Sequence, residues 1–141
     1  MKGYLVDTNV PSELTREQPD ARVAAFLRSA GKGAVFLSVM TIGEICKGIA
    51  GLPAGQKRTA LQDWLDSDLR SWFAGRILPL TESIAERWGH LAAPAKQRGL
   101  ALAVVDGLIA ATALHHDLTL VTRNVKDFAD LGIYISNPWE T

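Results

Sequence analysis

Gly3-Tyr4-Leu5-Val6-Asp7-Thr8-Asn9-Val10-Pro11 is the stretch on which the reading of the fold turns. A short apolar run closed by an acid predicts a buried strand over residues 3–7. Thr8 or Asn9 then predicts a cap for a short helix, with Pro11 near its first turn, where a missing N–H costs nothing. The triplet Asp7-Thr8-Asn9 therefore sits where a strand ends and a helix begins.

The same turn recurs downstream. Pro19-Asp20 precede a predicted helix over 21–29, Gly31-Lys32-Gly33 break it, and a second strand follows over 34–38. From Thr41, Ile42, Ile45, Cys46 and Ile49 fall at i, i+3, i+4 and i+7, one face of a helix. Glu44, Gly48 and Gly51 cluster on the opposite face. Glycines beside a carboxylate leave room for a close approach; the alternative is a solvated face with Lys47 paired to Glu44.

A longer helix is predicted over 56–73, its stripe of Leu61, Trp64, Leu65, Leu69 and Trp72 reading as core or subunit contact. A strand follows at 76–79. Thr81 then caps a helix with Ile84, Trp88, Leu91 and Ala95 inward, which Pro94 should kink or divide. Residues 101–115 predict another helix, 119–122 a strand, 125–128 a helical turn and 133–136 a last strand. Most connections between strands are too long for hairpins, so the order implies an α/β sandwich with a mostly parallel central sheet of about five strands.

The 141 residues suit one domain spanning 1–141, and 48% hydrophobic with 21% charged residues excludes a disordered or collagen-like chain. Fifteen basic residues balance fifteen acidic ones, so any anionic partner must be gripped locally rather than drawn by net charge. The single cysteine, Cys46, allows no internal disulfide and no thiolate zinc cluster. With no signal-peptide pattern at the N-terminus, the expected address is the cytoplasm. The longest apolar run, 101–114, is too short for a membrane span and is interrupted by Asp106.

In parallel α/β sheets, binding sites form beyond the carboxyl ends of the strands. Asp7 ends the first strand, Glu44 lies one turn into the helix after the second, and Asn124 and Asp127 follow the fourth. Asp106 is the only charge in its apolar run, where a carboxylate needs a cation, a proton or a capping role; a helix N-cap ahead of Gly107 is the simpler alternative. Carboxylates gathered at one sheet edge would repel one another and need a cation between them. With oxygen ligands only, that cation would be hard, Mg²⁺ or Mn²⁺. His90, His115 and His116 read as structural or solvated.

The segments Leu5-Val6-Asp7-Thr8-Asn9-Val10, Thr41-Ile42-Gly43-Glu44-Ile45, Val105-Asp106-Gly107-Leu108-Ile109-Ala110-Ala111-Thr112-Ala113 and Val121-Thr122-Arg123-Asn124-Val125-Lys126-Asp127-Phe128 together resemble a PIN domain of the VapC type. Residues 73–79 and the closing Asn137-Pro138-Trp139 further resemble its FitB-like branch. This resemblance implies a three-layer α/β/α sandwich and a metal-dependent endoribonuclease toxin of a type II toxin-antitoxin system. It also implies a homodimer whose site a small DNA-binding antitoxin blocks. Carried over by position, Asp7 and Asp106 would be metal ligands, Glu44 would complete the catalytic set and Thr122 would support it. Many members have an aspartate where this chain has Asn124, which leaves Asn124 or Asp127 for the fourth metal-binding position.

Such a site would hydrolyse an RNA phosphodiester with metal-activated water and no side-chain nucleophile. Arg123, Lys126 and Lys47 either hold phosphates or form a solvated rim. A haloacid-dehalogenase-type phosphatase would also carry an aspartate at the end of its first strand, but its Asp-x-Asp is broken here by Asn9. A catalytically inactive PIN-like module acting through its dimer and antitoxin surfaces is the other alternative, and Asp7, Glu44 and Asp106 together argue against it.

Overall fold

The computed structural model describes residues 3–140. Strands β1 (Tyr4–Val6), β2 (Val35–Ser38), β3 (Ile77–Leu78), β4 (Thr119–Val121) and β5 (Ile135–Ser136) form one sheet in the order β3-β2-β1-β4-β5. Every neighbouring pair is parallel, with Val6 opposite Leu37 on one side and Val121 on the other. The carboxyl ends of all strands therefore point to the same edge. The chain builds outward from β1 to β2 and β3, then returns to the other side of β1 for β4 and β5. This reversal puts the topological switch point, where such sheets open a crevice, between β1 and β4.

The helices are α1 (Asn9–Glu13), α2 (Ala21–Ala30), α3 (Val39–Ala50), α4 (Gln56–Asp63), α5 (Arg70–Trp72), α6 (Glu82–Gln97) and α7 (Val104–His115). Alternate residues of the strands enter two cores, as a sheet covered on both faces requires. Val6, Val35 and Leu37 pack with Val10, Val23, Ile45, Leu65 and Phe73. Leu5 and Leu120 pack on the other face with Ile109, Ala110, Ala113 and Phe128. The result is the expected three-layer sandwich, with a fully parallel sheet where a mostly parallel one was predicted.

Several local expectations are corrected. Thr8 is already in helical conformation and caps nothing with its side chain, whereas Asp20 and Ser38 do cap α2 and α3 through Arg22 N and Met40 N. The helix expected over 56–73 is interrupted by a π-helical segment, Trp64–Leu69. α6 runs undivided through Pro94, where the lost hydrogen bond falls on an exposed face with His90. The predicted inward residues of α6 divide, with Ile84 and Ala95 buried and Trp88 and Leu91 half-buried. α7 begins at Val104 after the extended Ala103, so Asp106 is the third residue of its first turn and not its N-cap.

Glu13, which carries no signature in the sequence, is buried and accepts hydrogen bonds from Asp20 N (2.9 Å) and Trp139 Nε1 (3.2 Å). It ties the closing turn to α1, the element next to Asp7. α7 is buried from Gly107 to Ala113, and Gly107 is where it meets α6. A Cβ on Gly107 would lie 2.7 Å from Trp88 Cδ1 and 2.8 Å from its Nε1. Gly107→Ala should therefore displace the Trp88 ring and cost about 1–3 kcal/mol in chemical denaturation. A variant as stable as wild type would mean that the two helices separate freely at this point.

Candidate active site

β1 delivers Asp7 to the middle of the sheet edge, where its N–H still donates to Val121 O (2.8 Å). Only 5% of the residue is exposed. Its Oδ1 accepts Thr8 N–H (2.8 Å) and its Oδ2 accepts the Thr122 hydroxyl (2.8 Å), which arrives from the end of β4 across the switch point. The Thr122 oxygen in turn accepts Asn124 N–H (3.0 Å) and Asn9 Nδ2 (3.3 Å). Asn9 Oδ1 accepts Arg123 N–H at 3.3 Å. Thr122 therefore fixes one oxygen of Asp7, while Asn9 stitches the β1 and β4 loops together. Sequence reasoning gives Asn9 no such role; its place two residues after a strand-ending acid was the available signal.

Glu44 is half-buried on α3, and Thr8 Oγ1 donates to its Oε1 at 2.5 Å. That contact turns the Glu44 face toward the Asp7 loop and away from the solvated reading, and Glu44 forms no ion pair with Lys47 among the described residues. Asp106 is half-buried at the start of α7, and its carboxylate makes no hydrogen bond or ion pair with the described residues. Burial, and then the negative charges of Asp7, Asp127 and Glu44, push its pKa up to about 6. Asp7 is also raised, first by burial; the Thr122 and Thr8 hydrogen bonds oppose this, and Glu44 and Asp127 reinforce it.

Acids from four separate parts of the chain thus share one electrostatic field. Asp127 contributes from the exposed turn after β4; Asn124, on the same loop, reaches the cluster through its backbone N–H to Thr122. Of the expected cations, Arg123 lies over the Trp139 ring at 5.5 Å, and Lys47 and Lys126 are exposed. Among the described residues, no three histidine, cysteine or acidic side chains stand close enough together to hold a metal ion as they are.

The PIN domain family model matches residues 4–133. The chain belongs to the PIN domain family. It is 42% identical over 135 residues to Toxin FitB of Neisseria gonorrhoeae, covering 96% of this chain and 97% of that protein. It is 38% identical over 136 residues to VapC ribonuclease Y4jK of Sinorhizobium fredii, with 96% and 97% covered. The crystal structure of FitAcB from Neisseria gonorrhoeae superposes with a TM-score of 0.91 at 40% identity, covering 98% of this chain and 99% of that one. This PIN protein is thus a FitB homologue within the VapC group.

The donor chemistry of this PIN site fits a hard divalent cation. Its acids offer oxygen only, and Asp106 is left without a hydrogen-bond or ion-pair partner among the described residues in a field that opposes its ionisation. An open arrangement of a few carboxylates also suits Mg²⁺, which keeps several waters rather than filling an all-protein cage. No helix among the described residues is long and apolar enough to cross a membrane.

Proposed function

We propose that this PIN protein is a toxin-antitoxin ribonuclease that hydrolyses RNA phosphodiester bonds with Mg²⁺, for which Mn²⁺ can substitute. The observation that supports this reading is that Asp7, held by Thr8 N–H and Thr122, and Asp106, with no partner among the described residues, stand at the carboxyl edge of the sheet within reach of the charges of Glu44 and Asp127. Kinship with a named toxin and a named VapC ribonuclease supports it. A second copy of the chain and a small DNA-binding antitoxin are the proposed partners, the antitoxin covering the acidic edge. Solved relatives include a FitAB complex bound to a DNA fragment.

Asp7 and Asp106 would hold the ion, with Asp127 or Asn124 as the fourth metal-binding residue. A divalent ion there supplies an activated water and neutralises charge developing on the phosphate. Asp7 is fixed for its part by Thr8 N–H and Thr122. Glu44 has Oε1 engaged by Thr8, which leaves Oε2 to orient water and take its proton. Arg123 and Lys126 flank the edge and would hold the substrate's phosphates against the acids' repulsion.

Purified protein should cut single-stranded RNA in Mg²⁺ and stop in EDTA; EDTA-resistant cleavage would overturn the mechanism. Asp127, like Glu44, is a charged group felt by both Asp7 and Asp106. Asp127→Asn should therefore raise the Mg²⁺ concentration for half-maximal activity more than Asn124→Ala does. The reverse order would give the fourth position to Asn124.

A further inference from the structure

We infer that a groove running from Glu44 is a nucleobase subsite, receiving the base of an unpaired nucleotide beside the scissile phosphate; this rests on the nuclease reading above. The groove has a volume of about 170 Å³ and is lined by Thr8, Ser12, Thr15, Glu44, Gly48 and Trp64 together with aliphatic side chains. A single water needs only about 10–15 Å³, so the space suits a ring rather than one ordered water.

Five observations converge on that occupant. Glu44 belongs both to the acidic edge and to the groove, so a strand placed at the acids continues into it. No lysine or arginine lines the groove and a carboxylate does, which disfavours phosphate and favours a neutral group with N–H edges. Gly48 is one turn beyond Glu44 in the interior of α3, and a Cβ there would meet nothing within 4 Å. Glycine weakens a helix interior, and here its missing side chain is what keeps the groove open. Trp64 offers an aromatic wall at the first residue of the π-helical segment, a geometry that recurs at functional sites. The hydroxyls supply the polar edge: Thr15 Oγ1 donates to Ser12 O at 2.7 Å and keeps its lone pairs free for a base N–H. Bases of single-stranded RNA are bound in this way, stacked on an aromatic and hydrogen-bonded at their edges.

Gly48→Leu tests the assignment, because leucine is the better helix former at this exposed position and fills the groove without burdening the fold. After the wild-type cut is mapped on a single-stranded RNA, the same oligonucleotide is made with an abasic residue on either side of the cut. Gly48→Leu should raise KM about tenfold or more with kcat little changed. One abasic substitution should raise the wild-type KM similarly and have little further effect on Gly48→Leu. A Gly48→Leu protein with wild-type KM and cut pattern, or abasic penalties that persist unchanged in it, would overturn the subsite while leaving the nuclease intact. A wild-type protein that neither binds nor cuts RNA would overturn the nuclease reading and the subsite together.

Discussion

Asp106→Asn should abolish RNA cleavage without lowering the melting temperature of the metal-free protein. Loss of an outer-shell partner of a metal site typically costs about 10–100-fold, and removing a proposed ligand should exceed that. Stability moves the other way because Asp106 has no partner among the described residues to lose and three acids to repel it. Its pKa, about 6 in the fold against an ordinary 3.8, means that the folded state binds more protons than the unfolded state between those values. Stability must then fall as pH rises through that window, with the full penalty present above about pH 6. Asp20, lowered to about 2, and Glu13, also lowered, act in the opposite sense and at more acidic pH. The stability of Asp106→Asn relative to wild type in EDTA should therefore increase from pH 4 to 7. Added Mg²⁺ should raise the melting temperature of wild type and affect the variant much less. A variant that melts well below wild type in EDTA yet responds normally to Mg²⁺ would make Asp106 a structural residue.

Thr122→Val should damage both stability and activity, since this hydroxyl is the hub between β1 and β4. It donates to Asp7 and accepts from Asn124 and Asn9, and the residue is fully buried. An isosteric valine removes the hydroxyl donor from the buried Asp7 Oδ2, leaving it only the long Asn9 Nδ2 contact (3.5 Å), and weakening a buried polar group in this way costs about 1–3 kcal/mol. For a chain of this length a loss of ~2 kcal/mol lowers the melting temperature by about 5–8 °C. Cleavage should fall as Asp7 loses its orientation, and Thr122→Ser, which keeps the hydroxyl, should recover most of both. An unchanged melting temperature in the valine variant would remove Thr122 from its supporting role.

Much of the acidic edge was legible because parallel strands all deliver their outgoing loops to one side of the sheet. Asp7, Glu44 and the 124–127 loop could be placed there from strand-to-helix turns alone. Asp106 was harder, since an isolated acid before Gly107 reads equally as a cap. What decides it is Ala103, whose extended backbone starts α7 three residues earlier than a cap at Asp106 allows. The Thr8 to Glu44 hydrogen bond joins residues 36 apart and has no local signature. The Gly107 contact with Trp88 is likewise tertiary. The π-helical turn at 64–69 was hidden because its apolar spacing satisfies an ordinary helix, and Pro94 was misjudged because its cost is small where the freed carbonyl faces water.

The acidic edge is tested most directly by single-turnover cleavage of a defined single-stranded RNA in Mg²⁺, comparing wild type with Asp7→Asn, Glu44→Gln, Asp106→Asn and the Asp7→Asn/Asp106→Asn double variant. Wild type should cut, each single variant should lose most of the rate, and, if the two acids serve one ion as proposed, the double variant should be no worse than the more damaged single one. A double variant that cuts RNA at the wild-type rate would contradict the assignment of the site.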